Sequence, residues 1–131
     1  VFPQLDESQR SRMHFLKTIP YDRFIALLQV STVHVYLTYP FVLSWSLLEA
    51  MSVGCSIVAS DTQPLQEAIT HDETGLLVDF FEPDALATAT ISLLDNPDRR
   101  LSLSKAAREF AKANYDLETV CLPKQIQWVQ E

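Results

Sequence analysis

Glycine is nearly absent from this chain, with only Gly54 and Gly75 among 131 residues. Neither a G-x-x-x-x-G-K-[ST] phosphate loop nor a G-x-G-x-x-G dinucleotide fingerprint occurs, although both need closely spaced glycines so that the backbone can approach phosphates. No serine occupies a Gly-x-Ser-x-Gly turn. The sequence therefore excludes the common nucleotide-binding loops and the hydrolases built on that turn.

Cysteine and positive charge are also scarce. Cys55 and Cys121 have no metal-ligand spacing, and a reduced, cytoplasmic setting suits them best. The chain has 10 Lys and Arg against 17 Asp and Glu, which gives a formal net charge of −7. Because nucleic acid and anionic lipid both require a Lys/Arg-rich surface, we expect no nucleic-acid partner and no unaided docking on such lipid.

Long apolar runs are missing as well. Nothing approaches the ~20 consecutive apolar residues of a transmembrane segment, and no basic-then-apolar signal peptide opens the chain. The first residue is Val1 rather than Met. We therefore expect residues 1–131 to form a single partial domain, excised from a longer protein.

Two apolar, β-branched runs of strand length dominate the middle of the chain. Residues 33–38 and 56–60 lack in/out alternation, which is typical of parallel strands covered by helices on both faces. Between them, residues 44–53 suit a helix of about three turns, with Gly54 as its left-handed C-terminal residue. This succession predicts a βαβ unit whose loop, residues 39–43, opens at the carboxyl edge of the sheet, where open α/β sheets bind ligands.

Further segments complete the predicted sheet and its helical cover. Residues 13–19 indicate a first strand and residues 76–79 a last one, so the parallel sheet is expected to hold about four strands. Helices are predicted over residues 21–29, 65–70 and 84–94, from Asn96-Pro97 onward, and over 117–129 with an interruption at Pro123. The prediction is an α/β fold, an open sheet flanked by helices with a helical C-terminus. Trp128 is expected to pack on a domain outside this chain.

Structural roles, not catalytic or metal-binding ones, are predicted for His34 and His71. His34, inside the second strand, is expected to be a satisfied core or edge histidine. His71, Asp72 and Glu73 are consecutive on a turn before Gly75, which is expected to supply backbone freedom there. Consecutive residues rarely converge on one ion, so no metal site is predicted.

A single carboxylate, Glu49, lies inside the otherwise apolar central helix. One interpretation is local: Ser46-x-x-Glu49 fits a capping box, and an acid near a helix N-terminus complements the dipole by about 0.3–1 kcal/mol. In the other interpretation, Glu49 accepts hydrogen bonds from ligand hydroxyls at the binding edge of the sheet. The spacing alone leaves both open.

The segment around Glu49 resembles the signature of retaining glycosyltransferases of the GT-B fold, the group called family 4 or group 1. That pattern is E-G-F-G-x-x-x-x-E-A-M-A-x-G-x-P-V-V-A, and residues 41–59 of this chain are FVLSWSLLEAMSVGCSIVA. The E-A-M triplet, Gly54 and the following strand match in register. The resemblance implies that Glu49 binds the ribose hydroxyls of a nucleotide donor. It also implies that the preceding loop, with Phe41, Val42, Leu43 and Ser44, offers backbone N–H groups to the donor's phosphates or sugar.

This chain departs from the family pattern at several of these positions. The first Glu of the family's pair, which touches the donor sugar, falls at Phe41, and a phenyl ring can neither accept a hydroxyl hydrogen bond nor carry charge. A family glycine near the donor's base and diphosphate falls at Lys17, whose side chain either neutralises phosphate charge or is simply solvated at a strand end. Tyr21 lies near the donor base or packs over the strand end. An intact helix around Glu49 favours a subgroup that holds its sugar differently over a decayed site.

Over nearly its whole length the chain resembles the second half of the C-terminal, donor-binding, Rossmann-like domain of a GT-B enzyme. The resemblance implies hexosyl transfer from a UDP- or GDP-linked sugar to an acceptor hydroxyl with retention of configuration, without a metal or other cofactor. A glycan or lipid-linked acceptor and the remaining catalytic groups are expected on an N-terminal domain outside this chain. We therefore assign no catalytic residue here and expect the piece to be inactive alone.

The competing hypothesis is a non-catalytic binding or scaffold domain of GT-B type with a degenerate site, which Phe41 favours. For the full-length protein we expect a cytoplasmic location, peripheral to the inner face of the membrane.

Overall fold

Parallel strands form the centre of the molecule, for which a computed structural model describes residues 4–39 and 42–130. Strand β1 is Val33–Tyr36, β2 is Ser56–Ser60 and β3 is Leu76–Val78. They form a parallel sheet in the order β1-β2-β3, in which Val33 pairs with Ser56 and Val58 with Leu76. All five residues of β2 are buried because that strand has a neighbour on each edge and helices on each face, which explains its lack of alternation.

Helices make up most of the remaining described chain. In chain order they are α1 (Glu7–Ser11), α2 (Tyr21–Val30), α3 (Trp45–Val53), α4 (Gln63–Gln66), α5 (Pro83–Asp95), α6 (Pro97–Tyr115), a π-helical turn (Leu117–Cys121) and α7 (Leu122–Gln130). No helix among these residues is both long and apolar enough to cross a bilayer.

The core is divided by the sheet into two clusters. Ile57 and Ala59 of β2 belong to the larger cluster, with Leu47 and Met51 of α3 and residues of α2, α4 and α6. Val58, between them on β2, belongs to the smaller cluster, which α5, α6 and β3 complete. Alternate residues of one strand thus serve opposite faces, as the pleat requires. The predicted α/β fold with an open parallel sheet is confirmed.

The predicted strand over residues 13–19 is wrong, so the described residues hold three strands rather than about four. Residues 13–18 are exposed and irregular, and residue 19 is half-buried. A strand needs a neighbour for its backbone hydrogen bonds, and no described strand lies alongside this segment. Its apolar composition alone indicated a strand, and composition does not provide that neighbour.

The structure explains why glycine occupies positions 54 and 75, but only at position 54 is the reason the backbone conformation that the sequence predicts. Gly54 ends α3 with φ of 88°, the left-handed conformation expected of it. Gly75 has no positive φ. A Cβ there would lie 3.1 Å from Ile69 Cγ2 and 3.2 Å from the Ile57 carbonyl oxygen, so the residue is small because the chain packs closely, not because the backbone needs freedom. In the same turn Asp72 takes the positive φ, 62°.

The C-terminal segment begins with a side-chain cap, Asp116. Asp116 Oδ1 accepts hydrogen bonds from the N–H and hydroxyl of Thr119, at 2.8 and 2.7 Å, and these bonds lower the pKa of Asp116. The π-helical turn leads directly into α7, whose second residue is Pro123, so the helix changes type beside the proline where an interruption was predicted. Trp128 is 78% exposed. Its packing on a further domain stays a prediction.

Candidate functional site

Helix α3 begins after Ser44, and this position tests whether Glu49 takes part in a capping box. Ser44 is the N-cap, and its side chain accepts from the Ser46 N–H at 3.3 Å. The local interpretation, a capping box between Ser46 and Glu49, is wrong because Ser46 already lies in the first turn of the helix. The Glu49 carboxylate is therefore not used to cap its own helix.

Glu49 is instead bound by a residue of another helix. The hydroxyl of Tyr21, the first residue of α2, donates a hydrogen bond to Glu49 Oε1 at 2.9 Å across 28 residues of sequence. This hydrogen bond is the main reason that the pKa of Tyr21 is raised; desolvation and the negative charge of Glu49 act in the same direction. Glu49 itself is half-buried.

A groove of about 510 Å³ contains this pair. Residues of α2, of α3 and of the end of α6 line it: Tyr21, Ile25, Trp45, Leu48, Glu49, Ser52, Val53 and Tyr115. Because α3 leads from the carboxyl end of β1 back to the start of β2, its first residues lie at the carboxyl edge of the sheet. The groove runs along α3 from Trp45, at that edge, to Val53, the last residue of the helix. Its Trp45 end thus lies at the edge where α/β folds bind ligands.

Two cations border the groove on its α6 side. A smaller cavity of about 290 Å³ shares Ser52 and Tyr115 with the groove and is also lined by Arg108, Lys112 and Asp116. Arg108 Nη1 donates to the Ser52 carbonyl oxygen at 2.7 Å, which satisfies a backbone group near the end of α3. Positive charge is thus available beside a groove that is lined mainly by aromatic and aliphatic side chains and contains one acid, Glu49.

The sequence-predicted site residues are only partly brought together. Tyr21 and Glu49 are in contact. Val42 is exposed, and Leu43 is packed against the larger core cluster. Lys17 is exposed on the irregular segment before α2. Phe41 lies outside the described residues.

Among the groove residues that were not selected from the sequence are two aromatic ones, Trp45 and Tyr115. Trp45 is 79% exposed although it begins an apolar helix. It lies four residues before Glu49 and so on the same helix face, a signal that the sequence contained. Tyr115 ends α6, far from Glu49 in sequence, and no local pattern indicates that the two share a groove.

Hydrogen bonds tie the loop after β1 to the end of β2. Ser60 Oγ, which is fully buried, donates to the Thr38 carbonyl oxygen at 2.7 Å and accepts from the Thr38 N–H at 3.0 Å. Asp61, the next residue, accepts from Gln66 Nε2 at 2.7 Å. The end of β2 thus anchors the loop that leads to Ser44 and α3.

The histidines do not form a metal centre within the described ranges, 4–39 and 42–130, where no group of three metal-ligating side chains occurs. His71 Nδ1 accepts from the Leu77 N–H at 3.0 Å, and Asp72 is paired with Arg99 at 2.6 Å. His34 was expected to be satisfied, and this is wrong: its Nε2 is buried and has no hydrogen-bond partner in the part of the chain that the structure describes. Burial lowers the pKa of His34 and keeps the ring neutral.

Comparisons with known proteins identify the family to which this chain is similar. Residues 5–110 match the model of the family described as Glycosyl transferases group 1. D-inositol 3-phosphate glycosyltransferase from Corynebacterium urealyticum is 31% identical over 106 residues, 81% of this chain. Among solved structures, sucrose-phosphate synthase (tll1590) from Thermosynechococcus elongatus matches 94% of this chain at 28% identity and a TM-score of 0.81. Alr3699/HepE from Anabaena, solved in complex with UDP-glucose, matches 80% of the chain at 18% identity and a TM-score of 0.73, a likeness of fold alone.

The chain spans only part of each of these proteins. It covers 25% of the Corynebacterium transferase, 31% of the sucrose-phosphate synthase chain and 29% of the HepE chain.

Proposed function

Since this chain belongs to the group 1 glycosyl transferases, we propose that its parent protein transfers a hexosyl group from a nucleotide diphospho-sugar to an acceptor hydroxyl, with retention of configuration. The chain supplies part of the donor site. No metal or other cofactor takes part in this proposal. The acceptor, a glycan or lipid-linked molecule, binds to a domain outside this chain, at the inner face of the membrane in the cytoplasm.

The observation that supports this proposal is the placement of Glu49. Glu49 is half-buried and lines a groove that runs from the start of α3, so it is not enclosed among aliphatic side chains. An ionised carboxylate is an acceptor only, with about four lone-pair sites, so it suits two adjacent hydroxyl donors such as those of a ribose. Glu49 is accordingly the residue that binds the ribose.

The nucleotide part of the proposal also draws on the relatives. HepE, whose fold this chain resembles, was solved in complex with UDP-glucose. For this chain the donor is UDP- or GDP-linked. The backbone of Val42, Leu43 and Ser44 approaches the donor's phosphates or sugar from the start of α3, where N–H groups and the helix dipole favour an anion. Lys17 contributes positive charge, and phenylalanine stands at position 41, where the family has the glutamate that touches the donor sugar.

The test is a titration of the full-length protein with UDP and with GDP. We expect saturable binding of one of them, and about 10- to 100-fold weaker binding in Glu49→Ala, since a hydrogen bond to a charged group is worth ~1.5–3 kcal/mol. Glu49→Gln separates charge from shape. Glu67→Ala, which removes an exposed carboxylate at the end of α4, is the matched control and should bind as the wild type does.

The alternative function is a non-catalytic scaffold with a degenerate site, and the phenylalanine at position 41 favours it. Binding of neither nucleotide by the full-length protein would support the scaffold. The 131-residue chain alone is expected to transfer no sugar, and sugar transfer by that piece would contradict the proposed division of the site.

A further inference from the structure

We propose that Tyr21 is the positioning residue of the ribose site: its hydroxyl holds Glu49 Oε1, so that the other carboxylate oxygen is presented to the ribose diol and the site selects ribonucleotides over deoxyribonucleotides. This inference rests on the proposed function, because it names the residue that makes Glu49 selective. Tyr21 acts through Glu49 and not on the reacting atoms.

The geometry supports a fixed carboxylate. The Tyr21 hydroxyl lies 2.9 Å from Oε1, the distance of a sound hydrogen bond, and a bond to a charged acceptor is stronger than a neutral one. The two residues belong to different helices, α2 and α3, so the bond fixes the side chain of Glu49 against a second element. A glutamate without such a partner loses rotamer freedom only when the ligand binds, and that loss weakens binding.

One carboxylate oxygen remains for a ligand. Of the hydrogen bonds within the described residues, only the one from Tyr21 reaches the Glu49 carboxylate, at Oε1. Oε2 therefore has its acceptor capacity free, and Oε1 keeps a second lone pair. Two neighbouring hydroxyls fit this arrangement, whereas a deoxyribose leaves one acceptor without a donor in a half-buried groove.

The Tyr21 hydroxyl is also available as a donor throughout the neutral range. The pKa of Tyr21 is raised by its bond to Glu49, so the phenol stays protonated well above neutral pH. The ring of Tyr21, 64% exposed, lines the groove, and its direct contact with a base would not depend on the hydroxyl. Tyr21→Phe keeps the ring and removes only the hydroxyl, so it separates positioning from stacking.

The experiment compares the binding of UDP with that of 2′-deoxy-UDP, and of GDP with 2′-deoxy-GDP, to the full-length protein by isothermal titration calorimetry. Wild type, Tyr21→Phe, Glu49→Gln and the double variant are measured. Tyr36→Phe, which removes a hydroxyl from a ring packed against the core outside the groove, is the matched control. Thermal melting of each variant shows that it is folded.

We expect the wild type to prefer the ribonucleotide about 10-fold or more, because a site built for a hydroxyl rejects the analogue that lacks it. Tyr21→Phe should bind the ribonucleotide about 3- to 10-fold more weakly and the deoxyribonucleotide nearly unchanged, so the preference shrinks. In the Glu49→Gln background the same change should have a much smaller effect, since the two residues act as a unit. Tyr36→Phe should keep the wild-type preference.

Two kinds of result would overturn the inference, and they can be told apart. If Glu49→Gln binds as tightly as the wild type, or neither nucleotide binds the wild type, the proposed function fails and the role of Tyr21 fails with it. If Glu49→Gln binds weakly but Tyr21→Phe keeps the wild-type preference, or loses both nucleotides equally, Glu49 remains the ribose ligand and only the positioning role of Tyr21 is wrong.

Discussion

Ser60 and Thr38 bind each other in both directions: the buried Ser60 hydroxyl donates to the Thr38 carbonyl oxygen at 2.7 Å and accepts from the Thr38 N–H at 3.0 Å. One side chain thus satisfies both backbone groups of a residue in the loop after β1. The backbone of such a loop has no sheet partner of its own, and an unsatisfied half-buried group is costly. The loop that leads to α3 and Glu49 therefore depends on a hydroxyl of the neighbouring strand.

We expect Ser60→Ala to lower the free energy of unfolding by about 1–3 kcal/mol, because it leaves the N–H and C=O groups of Thr38 without their partner. Urea denaturation measures this loss. Ser102→Ala, at an exposed position of α6, is the matched control and should change stability by no more than about 0.5 kcal/mol. Equal stability of the two variants would contradict the proposal that the Ser60 hydroxyl stabilises the loop through its hydrogen bonds to Thr38.

The two glycines should respond differently to the same pair of substitutions. At Gly54 a side chain meets open space but a positive φ, so Gly54→Ala should cost about 1–2 kcal/mol and Gly54→Asn less, since Asn tolerates this conformation. At Gly75 a Cβ meets Ile69 and the Ile57 backbone within 3.2 Å, so Gly75→Ala should cost about 1–3 kcal/mol and Gly75→Asn more.

Urea denaturation of the four glycine variants distinguishes backbone strain, expected at position 54, from steric crowding, expected at position 75. We expect the Asn variant to be more stable than the Ala variant at position 54 and less stable than it at position 75. The same order at both positions would contradict the different origins assigned to the two glycines.

Local signals predicted much of the fold. Strand β2 and the end of α3 at Gly54 agree with the sequence to the residue, because a buried β-branched run and a left-handed glycine are read from neighbouring positions. The strand over residues 13–19 failed because a strand exists only with a neighbour, and pairing is a long-range property. The start of α3 differs from the predicted one by a single residue, since Ser44 is the N-cap and not the first helical residue.

The candidate site was predicted less well than the fold. Glu49 was selected through the E-A-M triplet and Tyr21 at the start of a predicted helix, but the hydrogen bond between them joins residues 28 apart. Tyr115 reaches the groove only because α6 runs along α3. Which side chains meet in a groove is decided by the packing of helices, and no periodicity within one helix contains that information.

His34 should make stability depend on pH. Its Nε2 has no partner within the described residues and burial lowers its pKa, so the folded state binds its proton less readily than the unfolded state. The stabilising effect of the neutral ring is fully present above the ordinary pKa of 6.5 and is lost as pH falls from there toward the lower pKa of the folded state.

The measurement is the free energy of unfolding of wild type and of His34→Gln between pH 5 and 8, since a glutamine does not titrate. We expect the wild type to lose stability relative to the variant as pH falls below about 6.5. Other groups titrate equally in both proteins, so their contribution cancels in the difference. A constant difference across the range would show that the histidine is not held neutral by burial.

The bond between Tyr21 and Glu49 predicts a shift in a phenol titration. The pKa of Tyr21 is raised, first by its hydrogen bond to Glu49, then by desolvation and by the negative charge of Glu49. Removing that charge and weakening the bond in Glu49→Gln should lower the pKa of Tyr21 toward its ordinary value of 10.0. The tyrosinate absorbance near 295 nm, taken as the difference from Tyr21→Phe in each background, isolates this one phenol. Because desolvation of the phenol is common to the wild type and Glu49→Gln, the difference between their titrations reports the contact between the two side chains. An unchanged Tyr21 titration in Glu49→Gln would mean that the two side chains do not meet in solution, and the selectivity assigned to their contact would have no structural basis.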